Sequence, residues 1–276
     1  MVKPKELKEE FPSVVDRAYT EYKKHKKVEQ IMTTEIISTR IDATMDEVAK
    51  IMGEKHIGSL IVEDYKTPVG IVTERDLLSS VLATEKNPKD VKVKDIMSYP
   101  LIKICSFAEI KEAAQMMIRK KGRLTVFECG DLVGIITASD LIRSLPDVPE
   151  TRLKVDEFMT KKVTTADEKT WIADIAKMMG KERIGSVIIT SKTEPRKLGI
   201  FTERDLLTTF LAKEKSLITE VGKASSRLLI TTRLGTTIHK TAAIMTANHI
   251  RRLPIIDNSE LMGIITARDL VEAYAK

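Results

Sequence analysis

The stretch Gly70-Ile-Val-Thr-Glu-Arg-Asp-Leu77 recurs three more times, with small changes, along this chain of 276 residues. The other copies are Gly134-Ile-Ile-Thr-Ala-Ser-Asp-Leu141, Gly199-Ile-Phe-Thr-Glu-Arg-Asp-Leu206 and Gly263-Ile-Ile-Thr-Ala-Arg-Asp-Leu270. Their first glycines, at positions 70, 134, 199 and 263, lie 64, 65 and 64 residues apart. Regular spacing of this kind is typical of repeat proteins, in which each copy folds as one supersecondary unit. The sequence therefore predicts a fourfold repeat.

A second, shorter motif precedes each copy. It reads Gln30-Ile-Met32, Asp95-Ile-Met97 and Glu157-Phe-Met159, and in degenerate form Lys223-Ala-Ser225. The first and third copies share Thr-Glu-Arg-Asp-Leu-Leu, whereas the second and fourth share Gly-Ile-Ile-Thr-Ala. The sequence therefore also has a longer period of 129 residues, from 70 to 199 and from 134 to 263. We expect a pair of repeats that was later duplicated. The predicted units are an N-terminal helix and basic linker at 1–28 and four domains at 29–90, 91–150, 151–217 and 218–276, which pair as two modules.

Within one repeat the pattern predicts the order β-α-β-β-α, and hence an α/β (α+β) fold class. In the first copy, Glu35-Ile-Ile-Ser-Thr39 is strand-like, and Asp42-Ala-Thr44 caps a helix that Gly53 should end. Two further strands, Ser59-Leu-Ile-Val62 and Val69-Gly-Ile-Val72, precede a helix that starts at Thr73. Because one copy has too little apolar surface to bury alone, we expect paired copies to share a core.

The composition limits the classes of function. Hydrophobic residues make up 42% and charged residues 31% of the chain, which allows a sizeable core. The net charge of +6 favours an anionic partner, but only 4% of the residues are aromatic, which argues against a stacking platform for single-stranded nucleic acid. The apolar runs are too short for a membrane span, and no signal peptide is recognisable, so we expect a cytoplasmic protein without membrane partners. Cys105 and Cys129 lack the spacing of a zinc site, and no metal is predicted.

The motif Gly-h-h-Thr-x-x-Asp, where h is apolar, lies where a strand turns into a helix, and two interpretations of it stay open. Thr at the N-cap with an acid three residues later is a capping box, which needs no ligand. On the other hand, the acid is Asp in every copy, where the longer Glu or Gln should reach back to the cap better. A helix N-terminus also suits a phosphate, and a short carboxylate beside it can accept hydrogen bonds from a ribose diol.

A second informative element precedes the middle strand of each repeat. The copies read Lys55-His56-Ile57-Gly58-Ser59, Lys120-Lys121-Gly122-Arg123-Leu124, Glu182-Arg183-Ile184-Gly185-Ser186 and His249-Ile250-Arg251-Arg252-Leu253. A small residue here lets a flat ring lie against the backbone, and an arginine can pair bidentately with a phosphate. The simpler interpretation is an ordinary start of a strand with solvated basic ends.

With these motifs repeated four times, the chain resembles a tandem of four cystathionine-β-synthase (CBS) domains over about residues 28–276. The resemblance implies two Bateman modules whose clefts bind AMP, ADP or ATP, with S-adenosylmethionine as a less favoured ligand. It implies ribose contacts from Asp76, Asp140, Asp205, Asp269, Thr73, Thr137, Thr202 and Thr266. It implies phosphate contacts from Arg123, Arg251, Arg252, Arg75, Arg204 and Arg268. It implies an adenine pocket formed by Ile37, Ile57, Gly58, Ile102, Val163, Ile184 and Gly185.

Enzyme chemistry finds no support in the motifs, because no P-loop, HExxH, GxSxG or GxGxxG pattern is present. The interpretation is therefore a non-catalytic, energy-sensing regulatory protein with an adenine nucleotide as ligand and an effector protein that the sequence does not identify. Alternatives are nucleic-acid binding through the basic surface, a partner-binding scaffold, and nucleotide hydrolysis in the cleft. A monomer and a homodimer are equally compatible with the sequence.

Overall fold

The computed structural model describes residues 26–145, 152–193, 198–226 and 229–276. The proposed N-terminal helix falls almost wholly outside these residues. The helices and strands, numbered along the chain, are β1 (Ser38–Arg40), α1 (Met45–Glu54), β2 (Ser59–Asp64), β3 (Thr67–Thr73), α2 (Glu74–Ser80), β4 (Lys103–Cys105), α3 (Ile110–Lys120), β5 (Leu124–Glu128), β6 (Asp131–Ile136), α4 (Ala138–Ser144), β7 (Thr165–Asp167), α5 (Ile172–Glu182), β8 (Ser186–Thr190), β9 (Leu198–Thr202), α6 (Glu203–Asp205, continued by a π-helix over Leu206–Leu211), α7 (Ile238–Ala247), β10 (Arg252–Asp257), β11 (Glu260–Thr266) and α8 (Ala267–Ala275).

The predicted order β-α-β-β-α is confirmed in the first three repeats. In each, the first strand pairs in parallel with the second, which pairs antiparallel with the third. Among the described residues of the fourth repeat, only the pair β10–β11 forms a sheet, which is antiparallel, and the first strand is reduced to a parallel bridge between Thr232 and Ile255. The first strand of the chain also begins later than predicted, at Ser38 instead of Glu35.

The prediction that Gly53 ends α1 is wrong. Thr44 caps the helix as expected, and its hydroxyl accepts a hydrogen bond from the Glu47 N–H, but the helix runs through Gly53 to Glu54. The left-handed turn that follows is made two residues after the helix by His56, at a φ of 55°. This conformation costs a side-chain-bearing residue about 1 kcal/mol. Its equivalents in the other repeats also have positive φ: Lys121, Arg183 and His249.

Four short 3₁₀ turns each pack against the neighbouring repeat of the same pair. The turn Val28–Gln30 precedes the first repeat but packs on the second, where the Val28 N–H donates to the Ala108 carbonyl at 2.9 Å. The turn Val93–Asp95 packs back on the first repeat through a hydrogen bond from the Val93 N–H to the Ala43 carbonyl, also 2.9 Å long. The third and fourth repeats make the same exchange through Val155 and Val221, which donate to Thr236 and Thr170. This exchange ties the repeats together as two pairs.

The largest hydrophobic core joins the second and fourth repeats rather than the two members of a pair. One cluster contains Leu124 and Leu141 together with Leu253 and Leu270, all almost fully buried. The first and third repeats interlock through their helices, since Leu207 packs in the core of the first repeat and Leu78 in the core of the third. The sheets of the first and second repeats meet in a smaller cluster of Ile61, Ile71, Leu101 and Ile135. The expectation that the core is shared within each pair is therefore only partly correct.

Three general properties of the described residues bear on function. No helix among them combines the length and the hydropathy that crossing a lipid bilayer requires. Cys105 and Cys129 are both free and exposed. Over the same ranges, no group of three or more His, Cys, Asp and Glu side chains is arranged to hold a metal ion.

Candidate functional site: a central cavity

Each Thr-x-x-Asp motif forms a capping box at the N-terminus of the helix that follows it. In the first repeat, Asp76 Oδ2 accepts hydrogen bonds from the Thr73 N–H at 2.8 Å and from the Thr73 hydroxyl at 2.7 Å, while Thr73 Oγ1 accepts from the Asp76 N–H at 3.3 Å. Aspartate reaches back to the cap in all four repeats, so its shorter side chain does not argue against the capping-box interpretation. The box uses only one of the two carboxylate oxygens, and the other decides what each aspartate can still bind.

The four aspartates differ in this second oxygen. Asp76, Asp205 and Asp269 have no partner for Oδ1 among the described residues, whereas Asp140 Oδ1 accepts hydrogen bonds from the Thr33 hydroxyl and the Arg143 guanidinium. Burial raises the pKa of both Asp76 and Asp269, and the hydrogen bonds from their threonines oppose this rise. Although the motifs are equivalent in sequence, the fold does not make four equivalent sites.

A continuous cavity of about 1120 Å³ lies at the centre of the molecule and is lined by all four repeats. It brings together most of the residues that the sequence singled out. All seven residues of the predicted adenine pocket line it, as do the six predicted phosphate-binding arginines and six of the eight predicted ribose-binding residues. The exceptions are Thr202 and Asp205, which are not among the lining residues. The volume exceeds the range of about 300–1,000 Å³ that is typical of small-molecule sites.

Three of the six arginines are paired with carboxylates inside the cavity. Arg251 Nη1 lies 3.1 Å and Arg123 Nη2 lies 3.8 Å from Glu74 Oε1, and Arg252 Nη2 lies 2.6 Å from Glu203 Oε1. The Arg123 guanidinium also donates to the Gly58 carbonyl at 2.8 Å. The other three arginines also line the cavity, where Arg75 and Arg204 are exposed and Arg268 is half-buried.

Glu74 and Glu203 are the site residues that sequence reasoning missed. Each follows the capping threonine in the first and third repeats, where the second and fourth have Ala138 and Ala267. Each is only 6% exposed, and the two carboxyl groups are hydrogen-bonded to each other across the two modules. The available signal was the alternation itself, because glutamate occurs in the copies that have Ser59 and Ser186 where the other two have Arg123 and Arg252.

The two carboxyl groups titrate in opposite directions. Burial, together with the negative charge of Glu203, raises the pKa of Glu74 to about 7. Burial acts on Glu203 in the same sense, but the Arg252 guanidinium outweighs it and brings the pKa of Glu203 below its usual range. Because its pKa lies near 7, the Glu74 carboxyl is about half protonated at neutral pH, whereas the Glu203 carboxyl is ionised.

Glu74→Gln should remove a pH dependence of stability. Between about pH 4.5 and pH 7 folded Glu74 holds a proton that the unfolded chain has lost, so stability falls as the pH rises through this window. The amide of glutamine keeps a hydrogen-bond donor at every pH, so we expect the variant to gain about 2 kcal/mol relative to the parent between pH 5 and pH 8. Urea denaturation at both pH values measures this difference. Identical pH dependence in both proteins would show that Glu74 is ionised throughout.

Known proteins match this chain in the same four repeats. The family model described as the CBS domain matches residues 28–83, 93–147, 155–212 and 221–276. Protein MJ1225 of Methanocaldococcus jannaschii is 30% identical over 197 residues, which is 66% of this chain and 69% of that protein. Inosine-5'-monophosphate dehydrogenase of Staphylococcus haemolyticus is 37% identical over 109 residues, but these make up only 21% of that enzyme and 38% of this chain.

Solved structures agree with the fold over nearly the whole chain. The crystal structure of MJ1225 has a TM-score of 0.74 at 24% identity and covers 91% of this chain and 100% of that chain. An uncharacterised conserved protein from Pyrococcus horikoshii has a TM-score of 0.63 at 21% identity and covers 90% of this chain and 100% of that chain. This chain is therefore a member of the CBS-domain family, with four CBS domains in tandem that pair as two Bateman modules.

Proposed function

We propose that this chain is a non-catalytic regulatory protein that binds AMP, ADP or ATP in the central cavity between its CBS domains. The observation that carries the proposal is the pair Asp76 and Asp269. Each lines the cavity with one carboxylate oxygen fixed in a capping box and the other without a partner among the described residues. A carboxylate oriented in this way can accept hydrogen bonds from a ribose diol without disturbing the helix.

The surrounding residues supply the rest of a nucleotide site. Ile37, Ile57 and Ile102 in the first module, and Val163 and Ile184 in the second, offer apolar contacts to an adenine ring. The cavity arginines offer positive charge to the phosphates. We place the principal sites at Asp76 and Asp269, because Asp140 would first have to release Arg143 and Asp205 lies outside the cavity.

The family and its members support a regulatory role. CBS-domain proteins are generally regulatory and non-catalytic, and the relative MJ1225 has been proposed as an archaeal homologue of g-AMPK. AMP, ADP and ATP would carry different charges into the same cavity and so favour different relative placements of the modules. An effector protein in the cytoplasm would respond to that change, and S-adenosylmethionine is the alternative adenosyl ligand.

Asp269→Ala, compared with Asp205→Ala, tests the proposal. Both changes remove an equivalent capping box, so both should lower the free energy of unfolding by a similar amount, about 1 kcal/mol. Only Asp269 lines the cavity. Isothermal titration should therefore show a loss of about 10- to 100-fold in AMP affinity for Asp269→Ala and little change for Asp205→Ala.

Two results would count against the proposal. Equal AMP affinity in the parent and in Asp269→Ala would mean that Asp269 acts only as a helix cap. If the parent protein bound none of AMP, ADP, ATP and S-adenosylmethionine saturably, the proposal of an adenosyl ligand would be wrong.

A further inference from the structure

The carboxylates of Glu74 and Glu203 occupy the positive centre of the cavity, where a nucleotide phosphate would be drawn. The cluster holds the guanidinium groups of Arg123, Arg251 and Arg252 and these two carboxyl groups, so above the pKa of Glu74 three formal positive charges meet two negative ones. With both carboxyl groups ionised, a net charge of only one positive unit remains for a ligand. The strength of the cavity as an anion site therefore depends on the glutamates as much as on the arginines.

The fold makes specific room for both carboxylates. A Cβ atom added to Gly58 would lie 2.6 Å from Glu74 Oε2, and one added to Gly185 would collide with the Arg252 guanidinium and lie 2.8 Å from Glu203 Oε2. Two of the predicted adenine-wall residues thus border the carboxylates directly. Since Glu74 and Glu203 are each only 6% exposed, little water screens their charges from a neighbouring anion.

The cluster also reaches across the two modules. Arg123 and Glu74 belong to the first module and Arg252 and Glu203 to the second, while Arg251 of the second module pairs with Glu74 of the first at 3.1 Å. A phosphate that enters the cluster meets carboxylates from both sides. A longer phosphate chain cannot avoid one glutamate by shifting toward the other module.

Building on the nucleotide binding proposed above, we propose that Glu74 and Glu203 set the charge preference of the cavity and discriminate against nucleotides with a long phosphate chain. AMP brings one phosphate group to the arginines, whereas ATP brings three and so places more negative charge beside the two carboxylates. Like charges at short range in a poorly solvated site repel strongly. The parent protein should consequently favour the monophosphate over the triphosphate.

The experiment compares the ratio of AMP to ATP affinity in the parent protein, in Glu74→Gln and in Glu74→Gln/Glu203→Gln. Isothermal titration is done at pH 8 without divalent cations, with adenosine as the uncharged ligand. Glutamine has nearly the same shape as glutamate and can still hydrogen-bond to the arginines, but it removes a negative charge. We expect the double variant to bind ATP about tenfold more tightly relative to AMP than the parent does, while adenosine affinity stays the same. Glu74→Gln alone should show a smaller change in the same direction.

Glu214→Gln is the matched control. Glu214 also forms an ion pair between the modules, with Lys50 at 2.6 Å, but its side chain is 64% exposed and does not line the cavity. Its AMP to ATP ratio should equal that of the parent. If both cavity variants bound nucleotide with the parent's ratio of AMP to ATP affinity, the proposed role of the glutamates would be wrong, while the proposed nucleotide binding would stand. No binding of any nucleotide by any of the proteins would overturn the proposed function together with this inference.

Discussion

Arg252→Ala should lower the free energy of unfolding by about 3–5 kcal/mol, because it leaves the buried carboxylate of Glu203 without its closest partner. Arg252 Nη2 lies 2.6 Å from Glu203 Oε1, and the two side chains are only 14% and 7% exposed. Urea denaturation at pH 7.5 measures the loss. Arg268→Ala serves as the control, since Arg268 also lines the cavity but forms no ion pair within the described residues, and its removal should change stability by no more than about 0.5 kcal/mol.

A second substitution identifies the cause of this loss. Glu203→Gln in the Arg252→Ala background removes the unpaired buried charge, so the double variant should recover part of the stability. Purely additive losses would mean that Arg252 acts through packing instead of through its ion pair. Because of this coupling, a weaker affinity for AMP in Arg252→Ala alone would not show that Arg252 contacts a phosphate.

The local architecture could be predicted from the sequence because its causes are local. Thr44 and Thr73 cap helices as expected, and the apolar residues Leu77, Leu78 and Val81 that follow Thr73 are buried. The arrangement of the repeats could not be predicted in the same way. The exchange of Val28 and Val93 between neighbouring repeats depends on hydrogen bonds to residues far along the chain, and no local pattern records it.

The candidate site, like the fold, could be predicted from the sequence only in part. Asp76, Asp269 and the arginines of the second and fourth repeats, which the repeat pattern singled out, line one cavity in the structure, where the sequence suggested separate clefts. Repeat symmetry could not show that Asp205 lies outside, because equivalent motifs need not have equivalent surroundings. Glu74 and Glu203 were missed because a glutamate in the first turn of a helix is ordinary, and only the fold places these two against arginines from other repeats.

Gly53 shows how a local signal can mislead. A glycine near the end of an apolar helical pattern is typical of a helix C-terminus. In the structure a Cβ atom at Gly53 would lie 2.5 Å from Ala212 Cβ and 2.8 Å from the Leu207 carbonyl oxygen, both in the third repeat. The glycine thus permits a close approach between the modules. Gly180 occupies the equivalent position in α5, where an added Cβ atom would meet the carbonyl oxygen of Leu78 and lie 2.7 Å from Ala83 Cβ.

Gly180→Leu should therefore destabilise the protein by about 3 kcal/mol, although leucine is the better helix former by almost 1 kcal/mol. The obstacle at Gly180 is backbone, which cannot move aside as a flexible side chain would, so the helices of the first and third repeats must separate. Ala173→Leu adds a side chain of the same kind at an exposed position of the same helix and should change stability by no more than about 0.5 kcal/mol. Denaturation of both variants gives the comparison, and Gly53→Leu should repeat the loss at the equivalent contact with Leu207 and Ala212. A Gly180→Leu variant as stable as the parent would mean that the two modules do not pack through these helices.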